Sequence, residues 1–333
     1  MKYVYGPVPS RRLGQSLGID TIPLKTCNWN CVYCQLGRTV PLTNKRREYF
    51  PREDILAEVK SSLAAHRPAE IDWITIVGSG EPTLHIGIGS LIREIKAMTD
   101  LPLAVITNGA LLHMPEVREE LSVADAVLPS LDAGSQILYR QINRAHPDIT
   151  FKRHLNGLID FRKIYKGKLW IEVMLVFGLN DDEESLCTIL DSLQQIQPDE
   201  VHINIPTRPP VETWVQTPNK EGLMRARAIL GKTARIIHPA SGSFDLSGFA
   251  SIKEAVISII TRHPMQEEEI LRTLDKWSSD DVTAILADIK GSGEVQIIER
   301  YGTRFWTTVK SHFPDDGHRR VSKPEEMRNL PSQ

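Results

Sequence analysis

The stretch Cys27-Asn28-Trp29-Asn30-Cys31-Val32-Tyr33-Cys34 decides the reading of this chain. Three of the chain's four cysteines fall here within eight residues, in the spacing C-x3-C-x2-C, and the fourth, Cys187, stands alone. The stretch follows a β-rich run, Ser16–Ile22, so a tight loop would present three thiolates together. Three thiolates can ligate three irons of a [4Fe–4S] cube and leave the fourth iron open to a substrate. A closed zinc site asks for a fourth Cys or His close by. No histidine precedes His66, and Cys187 lies on an apolar-striped helical segment where burial is expected. A third alternative, three small core residues, fits poorly with polar Asn28 and Asn30 between them. The spacing ranks iron–sulfur first, zinc second and an inert cluster last.

The rest of the chain supplies a scaffold for such a loop. At 333 residues, 41% hydrophobic and 25% charged, it has the length of about two domains and an ordinary globular composition. Lys+Arg number 40 and Asp+Glu 42, a net charge of −2, so no global basic field points to nucleic acid or an anionic membrane. No apolar run approaches the roughly 18 residues of a membrane span. The start, MKYVYGPVPSRRLG, lacks the apolar core of a signal peptide, so the reducing cytoplasm is the expected location.

From residue 16 to about 237, Val/Ile/Leu-rich runs alternate with helical patterns. The expected strands are Ser16–Ile22, Trp73–Val77, Pro102–Thr107, Ala126–Leu131, Leu169–Phe177 and Glu200–Ile205. Their lack of strict alternation suits strands covered on both faces. Apolar stripes such as Ile88, Leu91, Ile92 and Ile95, or Leu186, Ile189, Leu190 and Leu193, mark helices between them. Repeated strand–helix order predicts an α/β fold with a parallel sheet, and six strands suggest a partial (β/α)6 barrel. Pro206–Pro218 holds four prolines and cannot be helical. The Gly/Ser-rich run Ser241–Gly248 reads as a linker. Three helical stripes and two short β runs then predict a small winged-helix-like unit over 249–310, with a disordered tail over 311–333 and the barrel over 1–248.

With Tyr33 just before the last cysteine, the cysteine motif resembles that of the radical S-adenosylmethionine (SAM) superfamily. The flanking text, YGPVPSRRLGQSLGID and KTCNWNCVYCQLG, is similar to a branch related to the wyosine-type tRNA-modifying enzymes, over roughly residues 1–240. The resemblance implies that the open iron chelates the amine and carboxylate of SAM. It implies an electron from the reduced cluster, a 5′-deoxyadenosyl radical and hydrogen abstraction from substrate. It also implies a low-potential donor such as flavodoxin or ferredoxin, and a substrate that is RNA, peptide or small metabolite, leaning to tRNA.

Further motifs follow the expected strands. Gly78-Ser79-Gly80-Glu81-Pro82 is similar to the family's Gly-Gly-Glu-Pro, with Ser79 inserted. Its glycines would let backbone approach a ligand, and Glu81 would accept from the SAM amine; alone, it reads as an ordinary turn. Asn108, in Thr107-Asn108-Gly109, matches a position facing the cofactor, or else a strand-ending turn. Ser130 and Asp132 resemble the ribose-contacting pair, and Arg144 a partner for the SAM carboxylate; the alternatives are a helix cap and a solvated charge. Met174 falls on the strand that borders the adenine in the family, or is core. Asn204–Pro210, with Thr207 and Arg208, resembles a substrate-side segment. Arg11 and Arg12, ahead of the first expected strand, would suit an anionic substrate or simply be solvated. In parallel strand–helix folds, loops after strands gather at one rim, and all these motifs follow strands.

Auxiliary clusters need about three or four more cysteines each, so one cluster per chain is expected, unlike the two associated with the wyosine enzymes. The C-terminal unit carries eight basic residues against ten acidic over 249–310, and its third helix carries Asp280, Asp281 and Asp288 against Lys290. Groove binding needs local positive charge, so DNA is disfavoured and protein or substrate docking is expected. The rival to a radical SAM enzyme is an iron–sulfur redox-sensing regulator acting through the winged-helix-like unit.

Overall fold

Short runs of branched and aliphatic residues pair into one eight-stranded sheet whose spatial order is its chain order. The strands are β1 (Val4–Ser10), β2 (Gly14–Ile19), β3 (Trp73–Ile76), β4 (Leu103–Thr107), β5 (Ala126–Pro129), β6 (Lys168–Met174), β7 (Glu200–Asn204) and β8 (Ala234–Ile236). β1 and β2 form an antiparallel hairpin, and β2 through β8 run parallel. The computed structural model describes residues 2–238, 244–246, 249–277 and 281–314. Most of the expected linker at 241–248, and the expected tail beyond residue 314, lie outside these residues.

The crossovers carry α1 (Arg52–Ala65), α2 (Ile88–Lys96), α3 (Pro115–Leu121), α4 (Gln136–Ile142), α5 (Phe151–Ile164), α6 (Glu183–Ile196) and α7 (Lys220–Leu230). Side-chain caps start several of them. Thr150 accepts from Arg153 N, Asp182 from Ser185 N and Asn219 from Gly222 N, each satisfying an otherwise orphaned donor. The α6 stripe is buried at Leu186, Ile189, Leu193 and Ile196. Cys187, expected to be buried, is exposed: at about 100° per residue it turns away from the stripe that begins at Leu186.

The Pro/Gly-containing segment ahead of the first expected strand is itself a strand, β1. Its prolines Pro7 and Pro9 are tolerated because β1 is the sheet's edge, where a missing N–H costs no ladder bond on the open side. The sheet is strongly curled. Trp73 of β3 and Trp170 of β6 are separated by two strands, about 14 Å in a flat sheet, yet their ring centroids lie 5.9 Å apart. Arg12, entering β2, forms an ion pair with Glu172 of β6. Strands β2 and β6 therefore face each other across the interior, while β1 and β8 leave the sheet open.

The C-terminal residues form α8 (Ile252–Arg262), β9 (Met265–Gln266), α9 (Glu267–Trp277), α10 (Val282–Gly291), β10 (Val295–Arg300) and β11 (Thr303–Thr308). The three strands make an antiparallel sheet in the order β10-β11-β9. Tyr301 and Gly302 both have positive φ, the requirement of a tight hairpin turn. Its core, including Val256, Ile259, Ile270, Leu274 and Trp306, is shared with Tyr5 and Val8 of β1, so this unit is docked on the β1–β2 hairpin.

One ion pair fastens that contact. Arg262 Nε lies 3.0 Å from Asp20 Oδ2, with the two side chains 12% and 3% exposed, and its Nη2 donates to the Lys2 carbonyl. Removing one partner of a buried pair strands the other charge. Arg262→Gln is therefore expected to lower stability by roughly 3 kcal/mol, read from the urea midpoint. Adding Asp20→Asn should recover part of that loss, giving a non-additive double-mutant cycle.

Candidate functional site

The cysteines lie on an irregular segment between β2 and α1, so their positions rest on contacts rather than on a ladder. Several backbone bonds hold it: Val32 N donates to Ile142 O (2.9 Å), His146 N to Asn28 O (2.8 Å) and Glu81 N to Thr26 O (2.9 Å). Trp29 is buried, with its ring edge-on to Tyr139 at 5.4 Å and to His154 at 5.3 Å. Asn28 Oδ1 accepts from Asn108 Nδ2 (2.7 Å), and Asn30 Oδ1 from Thr39 N (3.0 Å). The polar residues between the cysteines are thus the fasteners of the loop.

The three thiols are free of disulfides and line one cavity of about 270 Å³. Cys27 Sγ accepts from Trp29 N at 3.4 Å and Asn108 Nδ2 at 3.7 Å, and Lys25 Nζ lies 3.1 Å from Cys34 Sγ. Burial pushes the Cys27 thiol up to about 12, against the pull of Lys25. Burial, then Cys34 and Cys27, holds Cys31 well above the ordinary range. Thiolates here need positive charge inside the cavity, which a metal centre supplies. Among the described residues, no three His, Cys, Asp or Glu side chains converge on a single-ion site.

The opposite walls come from the carboxyl ends of the parallel strands: Gly78 and Gly80 after β3, Asn108 after β4, Ser130 after β5, Met174 ending β6 and Thr207 after β7. Of the residues singled out from the sequence, Gly78, Gly80, Glu81, Asn108, Ser130 and Met174 meet the three cysteines here. Ser79, Asp132 and Arg144 do not border the cavity. Ser79 Oγ donates to Asp20. Asp132 accepts from Tyr33 Oη (2.5 Å), Asn143 Nδ2 (2.6 Å) and Met174 N (2.8 Å), so it ties the cysteine loop to β6. Arg144 pairs with Glu212 at 2.6 Å. These partners are distant in sequence, and no local pattern announces them.

Glu81 and the glycines also act on the protein itself. Glu81 accepts from Thr83 N, Thr83 Oγ1, Thr107 Oγ1 and Asn108 N, which joins the end of β3 to the end of β4. Burial raises its pKa against those four bonds. A Cβ on Gly80 would stand 2.0 Å from Thr26 O. The close approach that requires glycine is made by the cysteine loop. Lys25 was absent from the sequence-derived set, although its place two residues before Cys27 was a readable signal.

The match that decides the family spans residues 21–190, from the cysteine loop through most of α6, and its description is the radical SAM superfamily. The chain belongs to the radical SAM superfamily. It is 36% identical over 283 residues to UPF0026 protein MJ1312 of Methanocaldococcus jannaschii, covering 83% of this chain and 87% of that protein. It is 38% identical over 298 residues to a Brachyspira hyodysenteriae protein named GTPase Obg, covering 89% of this chain but 43% of that one. It thus spans under half the length of that relative. Among solved structures, Streptococcus suis SuiB bound to precursor peptide SuiA aligns over 68% of this chain and 49% of its own, at 16% identity and a TM-score of 0.50. At that identity the likeness concerns the radical SAM fold alone.

The support under the cysteine loop titrates. Burial lowers the His154 pKa from 6.5 to about 4, against a hydrogen bond to Ser130 O. The folded value lies below the unfolded one, so between those pH values the unfolded chain binds more protons and acid favours it. Stability is expected to fall by on the order of 3 kcal/mol from this group as pH drops from 6.5 to 4. Urea titrations across that range check it, and His154→Gln should flatten the slope. His263, also pushed down, to about 3, should keep part of the slope in place.

Proposed function

We propose that this radical SAM enzyme holds a single [4Fe–4S] cluster on Cys27, Cys31 and Cys34 and reductively cleaves SAM to begin hydrogen abstraction from a substrate. The observation that carries the reading is the cavity itself: three free thiols lining it together and facing the ends of five consecutive parallel strands. When bound, the cluster supplies the electron that breaks the sulfonium and an open iron for the amine and carboxylate of SAM.

The chain's own residues divide the remaining work. Asn108 holds the loop through Asn28 and reaches Cys27 Sγ. Ser130 and Met174 offer the opposite wall to the nucleoside. Lys25 balances charge at Cys34. Glu81, Asp132 and Arg144 serve as positioning residues through the bonds described above. The curled, open sheet supports a partial barrel, and the order α8, β9, α9, α10, β10, β11 supports a winged-helix-like C-terminal unit. Flavodoxin or ferredoxin is the proposed reductant in a cytoplasmic setting. No helix among the described residues is long and apolar enough to cross a membrane. The proposed substrate classes are tRNA or a protein or peptide, with the C-terminal unit as a docking element.

Anaerobic reconstitution with iron, sulfide and dithionite tests this. Wild type is expected to bind iron and to turn SAM into 5′-deoxyadenosine and methionine. Cys31→Ala should lose the cluster and reduce cleavage by at least about 100-fold. Stoichiometric zinc without iron, or an iron-loaded protein that binds DNA and leaves SAM intact, would overturn the enzyme reading; the second result would establish the regulator.

A further inference from the structure

Beside the cysteine cavity lies a second one of about 310 Å³, between the rim of the sheet and the C-terminal unit. The two share a wall, because Arg11, Gln35, Val77, Ile106, Thr207 and Arg208 border both. On the far side, His263, Gln266 and Glu269 come from the C-terminal unit. Three arginines, Arg11, Arg12 and Arg208, border the recess against one carboxylate, Glu269. Two of them have partners: Arg12 pairs with Glu172, and Arg208 donates to the Pro264 carbonyl and lies 3.7 Å from Glu269.

Arg11 differs. Its Nη1 is buried without a hydrogen-bond partner, and among the described residues no carboxylate pairs with it. Burial is what weakens its hold on a proton. After burial, Arg208, Arg262 and Arg11 are also what keep His263 neutral. An unmatched guanidinium in such a place is costly to the fold, and a planar fork of donors is suited to an oxyanion.

We propose that this recess is the substrate's anion subsite, in which Arg11 binds a phosphate or carboxylate group while the reacting carbon enters the cysteine cavity through the shared wall. The proposal rests on the radical SAM reading of that neighbouring cavity. It gives the C-terminal unit a definite part in the site, since its residues close the recess around the anion. The substrate then carries an anionic group at one end and its reacting C–H bond at the other.

Calorimetric titration of the anaerobically reconstituted protein with inorganic phosphate, and separately with acetate, both in the presence of SAM, tests it. One of the two anions is expected to bind. Tighter phosphate assigns a phosphoryl group, tighter acetate a carboxylate. Arg11→Gln should weaken binding about tenfold or more, Arg11→Lys should restore part of it, and the exposed control Arg140→Gln should match wild type. The proposal is overturned if neither anion binds wild type, if Arg11→Gln binds as wild type does, or if SAM displaces the anion. Iron content and SAM cleavage of the same wild-type preparation report separately on the radical SAM reading. Loss of one result with survival of the other therefore shows which of the two has failed.

Discussion

Three thiols share one cavity with a lysine ammonium at its edge, and burial makes Cys27 and Cys31 resist ionisation there. Such an arrangement lowers the stability of the empty protein in its thiolate form, and it favours any centre that brings positive charge among the sulfurs. The rest of the structure keeps that cavity from collapsing. Trp29 anchors the loop against Tyr139 and His154, Thr26 rests on Gly80, and Asp132 clasps Tyr33. These contacts come from α4, α5 and the ends of β3 and β5. The loop can do without secondary structure because four separate elements fix it.

This explains a division among the motifs that the sequence groups together. From the resemblance, Gly80, Glu81 and Asp132 were expected to contact the cofactor, yet their close partners here are protein atoms. The two roles are compatible in physical terms. A rigid cavity holds a cofactor better than a flexible one, because the ordering cost is met during folding. A carboxylate such as Glu81, fixed by four donors, shapes the wall of the cysteine cavity even with its own lone pairs occupied.

Legibility followed the range of the interactions. The runs Trp73–Val77 and Glu200–Ile205 were readable as strands because burial on both faces writes itself as consecutive apolar residues. The α6 segment was readable through its apolar stripe, and Asp182 caps its start. By contrast β1 carries Gly6, Pro7 and Pro9, which normally signal a loop; only its position at the sheet edge makes it a strand. Arg144 and Glu212 stand 68 positions apart, and Tyr33 and Asp132 stand 99 apart. No local period encodes such pairs, so a side chain that looked available for a ligand was already engaged.

The docking of the C-terminal unit follows from the same edge strand. An exposed sheet edge invites uncontrolled pairing, and proteins commonly cover it. Here Tyr5 and Val8 of β1 enter the core of the added unit, while Arg262 reaches Asp20, whose other oxygen contacts hold Ser79 in the turn before Glu81. Asp20 therefore belongs to two structures at once, the interface of the C-terminal unit and the turn behind the cysteine loop. A movement of α8 that loosened Arg262 would leave Asp20 with only the turn to balance its charge. Through that shared carboxylate, the cover of the sheet edge and the wall of the cysteine cavity are mechanically joined.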